Sequence, residues 1–251
     1  MKLAVSGKGG VGKTTFSALL IRTLSDMGKK VLAIDADPDA NLAAALGVLD
    51  AERITPIAEM KEMIFERTGA QPGSIGGWFK LNPKVDDLPD TLSVKMDNIK
   101  LMRLGSVKKG GGGCLCPEST LLKALVMHIV LARDEVVVMD MEAGIEHLGR
   151  ATAKSVDKLI VVVEPGRRSI DTAEHIRKLA TEIHLDKIAV VGNKIRSPKD
   201  EDFIRRHLAD FEIMGFLPYT DALIEADLQG QSPYDVDSAA KEQVQKMIAT
   251  L

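Results

Sequence analysis

The sequence predicts an α/β fold in which a doubly wound, mainly parallel sheet carries helices on both faces. Three observations lead to this prediction. Apolar strands alternate with helical segments, several strands are unbroken runs of Val, Ile and Leu, and a glycine-rich loop joins the first strand to the first helix. In such a sheet, ligands bind at the carboxyl ends of the strands. The length of 251 residues suits one domain, 1–251.

Composition narrows the class of protein. The chain is 45% hydrophobic and 27% charged, with a net charge of −3, which is typical of a soluble globular protein. Only 4% of the residues are aromatic, so the core is expected to be aliphatic. Mild acidity argues against nonspecific nucleic-acid binding, and the chain has no apolar run of membrane-spanning length. A strand that begins at Lys2 leaves no room for a signal peptide, so we expect a cytoplasmic location.

The first strand, 2–6, and the first helix, 15–27, flank a phosphate-binding pattern, G-x-x-x-x-G-K-[ST]. The loop reads Gly7-Lys8-Gly9-Gly10-Val11-Gly12-Lys13-Thr14 and is followed by Thr15. Its backbone N–H groups can surround a phosphate, Lys13 can reach the β- and γ-phosphates, and the Thr14 hydroxyl can bind Mg²⁺. The alternative is a glycine-rich turn that merely contains a lysine. Because strand, loop and helix all agree, we predict a P-loop NTPase, with residues 9–15 binding the nucleotide.

Carboxylates follow two later strands. The strand 30–34 ends at Asp35-Ala36-Asp37-Pro38-Asp39-Ala40-Asn41, which places acids at the ligand-binding edge of the sheet. The alternative is an acidic turn that caps a helix over 40–46. The strand 136–140 ends at Asp140, a Walker B pattern, and we expect Asp140 to hold Mg²⁺ through water.

Cys114 and Cys116 lie in a glycine-rich loop, 110–117, before a helix that Pro117 begins and that runs to about Leu131. A disulfide between cysteines separated by one residue would be strained. A helix start lowers the pKa of nearby thiols, and exposed thiols on a glycine-rich loop are poor core material, so a reactive or ligand-binding role is favoured. The alternative is a pair of buried, inert cysteines.

The remaining segments complete the alternating pattern. Residues 54–68 are expected to be helical and 71–89 to form a surface loop, in which Trp78 is interpreted as a loop anchor, with a partner contact as the alternative. The other predicted elements are a hairpin (92–96 and 99–105), strands 158–163, 187–191 and 212–216, and helices 169–183, 222–228 and 238–248.

The second lysine of the loop, Lys8, gives the form K-G-G-x-G-K-[ST]-[ST]. This form resembles the deviant P-loop of the family that contains septum-positioning and plasmid-partitioning ATPases, the arsenite-pump ATPase and the nitrogenase iron protein. The resemblance implies a nucleotide-dependent homodimer in which Lys8 reaches the nucleotide of the partner subunit.

The same resemblance assigns further roles. D-x-D-P-x-x-N is similar to the first switch of the family, which implies that Asp37 orients the attacking water. D-x-x-A-G-I-E, residues 140–146, is similar to its second switch, which implies that the Gly144 amide senses the γ-phosphate.

Asn193 with Lys194 resembles a base-recognition motif, and the absence of an aspartate two residues later favours adenine over guanine. Pro218 occupies a position where relatives line the adenine pocket.

G-C-x-C-P before a leucine-rich helix resembles the accessory ATPases of carbon monoxide dehydrogenase. That resemblance implies ATP hydrolysis in support of nickel insertion, with apo carbon monoxide dehydrogenase as the partner. Each chain supplies two thiolates from Cys114 and Cys116, and a twofold dimer supplies four, which suits Zn²⁺ or Ni²⁺. The sequence does not choose between the two metals.

Two other functions remain open at this point. One is an ATPase with a dimer-bridging [4Fe–4S] cluster, which four thiolates can also hold. The other is a positioning ATPase, which gives the cysteines no role. The last helix contains only Lys241 and Lys246 as basic residues, so stable membrane association is not expected.

Overall fold

A single eight-stranded sheet organises the part of the chain that the computed structural model describes, residues 1–70, 78–105, 116–145, 148 and 150–251. The strands are β1 (Lys2–Gly7), β2 (Val31–Ala36), β3 (Val94–Met96), β4 (Ile99–Arg103), β5 (Val136–Met141), β6 (Lys158–Val163), β7 (Ile188–Ile195) and β8 (Glu212–Pro218). The helices are α1 (Lys13–Asp26), α2 (Leu42–Ala45), α3 (Lys61–Thr68), α4 (Leu88–Thr91), α5 (Pro117–Ala132), α6 (Arg150–Ala153), α7 (Arg167–Glu182), α8 (Pro198–His207), α9 (Asp221–Gln229), α10 (Pro233–Val236) and α11 (Ser238–Ile248).

The strand order is β3-β4-β2-β5-β1-β6-β7-β8. Within these eight strands, every neighbouring pair is parallel except β3 with β4, which form the predicted hairpin. The predicted doubly wound α/β fold is therefore confirmed. β1 lies between β5 and β6, so the loop after β1 opens at the centre of the carboxyl edge, where open α/β sheets bind ligands.

Aliphatic side chains cover both faces of the sheet. On one face α1, α2, α10 and α11 pack over Leu3, Val5 and Val138. On the other face α3 and α5 to α8 pack over Ala4, Met139 and Val161. Alternate residues of each strand thus enter opposite cores, as the strand geometry requires. No helix in the described ranges is long and apolar enough to cross a membrane.

Several elements differ from the sequence expectations, and the short helices α4, α6 and α10 were not predicted at all. The helix expected over 54–68 is a short 3₁₀ turn, Ile57–Glu59, followed by α3 after a non-helical Met60. Pro56 restrains the residue before it, so no helix begins at 54. The helix expected over 40–46 is only the short α2. The helix α8 was not predicted, because it buries one apolar residue, Ile204, and so has no apolar stripe.

The interpretation of Trp78 as a loop anchor is wrong, and the alternative of a partner contact stays a prediction. Its side chain is 98% exposed and therefore does not anchor the surface loop. Residues 71–77 of that predicted loop lie outside the described residues.

Candidate functional site

The glycine-rich loop forms a cradle between β1 and α1. Gly12 has a φ of 91°, and a Cβ at this position would lie 2.3 Å from Nδ2 of Asn193, so only glycine fits there. The next residue, Lys13, begins α1, whose first-turn N–H groups have no partner within the helix. The loop and the helix start together form an anion-binding site of the predicted kind.

Two side chains from the end of β7 hold the outer side of this loop. Asn193 donates from Nδ2 to the Val11 carbonyl at 2.8 Å, and Lys194 donates from Nζ to the Gly10 carbonyl at 2.6 Å. These carbonyls would otherwise lack partners where the loop turns inward. Asn193 thus fixes the loop, while its contact with a nucleotide base stays a prediction.

Lys13 lies beside Asp37, with 3.8 Å between Nζ and Oδ2. The Lys13 side chain is only 8% exposed, so its ammonium depends on nearby anions rather than on water. A bound triphosphate would supply a more highly charged partner than one carboxylate. Phosphate binding at Lys13 would therefore leave the Asp37 carboxylate available to orient a water.

Asp140 is placed to take part in Mg²⁺ binding. Its Oδ1 accepts a hydrogen bond from Ser17 at 3.0 Å, while its buried Oδ2 has no hydrogen-bond partner among the described residues. Burial raises the pKa of Asp140 to about 6, and the hydroxyls of Thr14 and Ser17 oppose this shift. A carboxylate beside a hydroxyl at a phosphate cradle suits Mg²⁺, which prefers oxygen ligands and retains several waters. Asp140 and Thr14 therefore fit the predicted role of holding Mg²⁺ against the phosphates.

Asp35 is a further functional carboxylate that the sequence did not single out. It is 1% exposed and lies opposite Asp140 on the neighbouring strand. Its carboxylate accepts from the amides of Asp37 at 3.3 Å and Leu42 at 3.1 Å, so it fixes both ends of the first switch. Burial and, next, the Asp140 carboxylate raise the pKa of Asp35 to about 7. The D-x-D spacing could have identified Asp35, because it places one aspartate inside the strand and a second one beyond its end.

The second switch is held by β1. The Ser6 hydroxyl lies 2.8 Å from the carbonyl oxygen of Gly144 and 3.1 Å from that of Glu142. The Gly144 amide donates to the Glu142 carbonyl at 2.7 Å. This amide must exchange its partner to contact a γ-phosphate, and that contact stays a prediction.

A cavity of about 540 Å³ extends from the phosphate cradle, a size typical of ligand pockets. Its lining residues are Gly9, Gly10, Gly12, Lys13, Thr14, Thr15, Asp37, Asp39, Asn41, Ala44, Ala45, Leu223, Ala226, Gly230, Gln231 and Pro233. The sequence did not predict that α9 and α10 form a wall of this cavity. Pro218 and Asn193, which were predicted to contact the nucleotide, are not among the lining residues. Ser232 ties this wall to α2, because its hydroxyl donates to the Ala45 carbonyl at 2.8 Å.

Cys116 lies at the start of α5, where its Sγ accepts from the Ser119 amide at 3.4 Å. Cys114 and the rest of the predicted metal-binding loop, 110–115, lie outside the described residues. Among the residues that the structure does describe, no three metal-ligating side chains are grouped together. The metal site at the cysteines is thus an untested prediction.

Comparison with known proteins agrees with this geometry. The model of the CobQ/CobB/MinD/ParA nucleotide-binding domain matches residues 2–234. The carbon monoxide dehydrogenase accessory protein CooC of Rhodospirillum rubrum is 46% identical over 254 residues, covering 100% of this chain and 96% of the relative. An uncharacterized ATP-binding protein of Methanocaldococcus jannaschii is 44% identical over 250 residues, covering 98% of this chain and 96% of the relative.

Solved structures share the fold at lower identity. The MinC:MinD cell division complex of Aquifex aeolicus matches with a TM-score of 0.69 and 22% identity, over 99% of this chain and 93% of that chain. MinD of Pyrococcus horikoshii, complexed with Mg-ADP, matches with a TM-score of 0.65 and 20% identity, over 98% and 93%.

The buried Asp35 predicts a pH dependence of stability. Between its usual pKa of 3.8 and about 7, the unfolded chain has lost the Asp35 proton while the folded chain keeps it. The folded state therefore binds more protons, and the contribution of Asp35 to the free energy of unfolding falls as the pH rises through this window. Asp35→Asn removes this contribution, so wild type should lose stability relative to the variant by up to about 1.4 kcal/mol per pH unit.

Urea unfolding at several pH values, without nucleotide or Mg²⁺, measures this difference. Asp39→Asn, at an exposed position in the same loop, is the matched control. Parallel stability curves for wild type and Asp35→Asn would show that the Asp35 proton is not held by the fold.

Proposed function

The chain belongs to the CobQ/CobB/MinD/ParA nucleotide-binding family of ATPases, and we propose that it is a homodimeric metallochaperone for carbon monoxide dehydrogenase. In this proposal, ATP binding and hydrolysis drive the transfer of nickel toward the active-site cluster of the apo-dehydrogenase. The observation that carries the proposal is the 46% identity to the accessory protein CooC along the full chain. In this proposal, the C-x-C sequence before α5 binds the metal ion that is transferred.

The hydrolytic part of the proposal follows from the charges at the cradle. Lys13, the α1 N-terminus and the loop amides hold the β- and γ-phosphates, and Thr14 with Asp140 hold Mg²⁺, which neutralises developing charge. Release of Asp37 from Lys13 then allows its carboxylate to orient the attacking water. Lys8 of each subunit supplies a further positive charge to the nucleotide of the other subunit, so hydrolysis requires the dimer.

The topology supports coupling between the nucleotide and the cysteines. α5 leads back to the amino end of β5, so its first turn lies at the carboxyl edge of the sheet, the edge of the phosphate cradle. Both switches also lie at this edge. A rearrangement of the switches in a dimer would therefore move the surroundings of Cys116 and change the geometry of a site shared between subunits.

Nickel, the cargo, would be bound by Cys114 and Cys116 of both subunits. Thiolates are soft ligands that suit Zn²⁺ as well as Ni²⁺, so the donor set allows either metal. Two cysteines from one chain give too few ligands for a stable site, whereas the twofold symmetry of a dimer gives four.

Lys13→Ala should abolish hydrolysis without unfolding the chain. Lys13 is the loop cation that contacts the transferred phosphate, and loss of such a preorganised charge lowers the rate about a hundred-fold or more. Phosphate release measures the rate, and Lys29→Ala, at an exposed position, is the control. Hydrolysis at the normal rate by Lys13→Ala would refute the assignment.

Lys8→Ala and Asp37→Asn should separate dimerisation from chemistry. Lys8→Ala should keep measurable ATP affinity but lose ATP-dependent dimerisation and turnover. Asp37→Asn should dimerise with ATP and hydrolyse it about a hundred-fold more slowly, which traps the dimer. Sedimentation with ATP distinguishes the two, and wild-type behaviour of both variants would contradict the cross-dimer model.

Double substitution of Cys114 and Cys116 by serine should remove one shared metal ion per dimer and leave ATP binding intact. Because thiolate rather than thiol binds the metal, the affinity of the native chain should weaken as the pH falls. Titration with Ni²⁺ or Zn²⁺, followed by elemental analysis and sedimentation, gives the stoichiometry. One metal per isolated monomer, or undiminished binding by the double variant, would contradict the shared site, and iron with sulfide would favour a [4Fe–4S] cluster instead.

A further inference from the structure

Lys8 is held within its own subunit by Glu164, the residue that follows β6. The distance between Lys8 Nζ and Glu164 Oε1 is 3.6 Å. The side chains are 36% and 28% exposed, so the pair lies at the surface of the cradle rather than in the core. The backbone of Glu164 is fixed, because its amide donates to the Ser169 hydroxyl at 3.1 Å. The carboxylate thus projects from a rigid strand end toward a lysine of the glycine-rich loop.

A second lysine shares this carboxylate. Lys194 Nζ lies 3.2 Å from Glu164 Oε2 and also donates to the Gly10 carbonyl. Lys194 has a φ of 59°, which is unusual for a residue with a side chain, and its amide donates to Asn193 Oδ1 at 2.8 Å. Its position is therefore fixed by the strand end and the loop. Glu164 keeps this cation as a partner even when Lys8 moves away.

We propose that Glu164 restrains Lys8 in the resting subunit and releases it only when a second nucleotide-bound subunit offers its phosphates. This inference rests on the proposed role of Lys8 across the dimer interface. A Lys8 ammonium that contacts its own Glu164 is not extended toward a partner, so the contact opposes dimerisation. The contact is also reversible at low cost, because Lys194 continues to neutralise Glu164 after Lys8 has left.

The strength of the contact suits a restraint that nucleotide can overcome. An ion pair between partly exposed side chains is weak and is screened by salt. The phosphates of a bound nucleotide carry more negative charge than one carboxylate and attract Lys8 more strongly at the same distance. The restraint therefore sets the nucleotide concentration that dimerisation requires without preventing dimerisation.

Glu164→Gln in the full chain tests the proposal. It retains the size of the side chain but removes the charge, so dimerisation should require about two- to five-fold less Mg–AMPPNP than in wild type, as expected for a partly exposed ion pair. Sedimentation at a fixed protein concentration and increasing nucleotide measures the midpoint. The difference from wild type should shrink at high salt, where the wild-type contact is already screened.

Glu174→Gln is the matched control, because Glu174 forms a similarly exposed pair with Arg177 on α7. It should leave the midpoint unchanged, and an equal shift in this control would overturn the proposal as a general effect of charge. The double variant Glu164→Gln with Lys8→Ala should not dimerise, and dimerisation by it would also overturn the proposal.

The remaining outcomes distinguish a failure of the restraint by Glu164 from a failure of the proposed role of Lys8 across the dimer. An unchanged midpoint in Glu164→Gln, with dimerisation lost in Lys8→Ala, overturns the restraint and leaves the cross-dimer role of Lys8 in place. Normal dimerisation of Lys8→Ala overturns that role and the restraint with it. A lower midpoint in Glu164→Gln that depends on Lys8 supports the proposal.

Discussion

Negative charge confined at the carboxyl ends of β2 and β5 is the constraint on which the site depends. Asp35 and Asp140 are buried on adjacent strands, and Asp37 lies just beyond, so negative charge accumulates here beside two cations, Lys13 and Arg103. Such an arrangement is costly, because burial and like charge both oppose ionisation. A magnesium ion would offset the cost, and Asp140 Oδ2, which accepts no hydrogen bond within the part of the chain that the structure describes, is available to it.

The same constraint bears on how the two predicted switches would respond to nucleotide. The first switch is tied to the sheet by the Asp35 carboxylate and to the cradle by the pair of Lys13 with Asp37. The second is tied to β1 by Ser6. Each of these contacts is a hydrogen bond or an ion pair near the predicted phosphate position, rather than apolar packing. In the proposed cycle, phosphate and metal would compete directly with the contacts that hold the switches at rest, and no long-range pathway would be needed.

The fold and the cradle were largely predictable from the sequence, because their signals are local. Unbroken apolar strands indicate a parallel sheet, and the glycine pattern specifies the backbone angles of the loop, as Gly12 illustrates. Helix α8 was missed because a helix with one buried side chain has no apolar period. The wall at Leu223 to Pro233 and the pairing of Lys8 with Glu164 were missed because they join distant segments, and only packing of the whole sheet brings them together.

The residues that form the cavity are far apart in the sequence and are therefore translated at different times. The phosphate cradle, residues 7–15, is translated well before Gly230, Gln231 and Pro233, which line the same cavity. The α1 face also needs Val244 and Met247 of α11 to complete its core. A nascent chain thus displays its phosphate-binding loop long before it can enclose a nucleotide. Ser232 also contacts the Ala45 carbonyl at the end of α2, so the helix that follows the first switch gains this contact only after residue 232 has been translated.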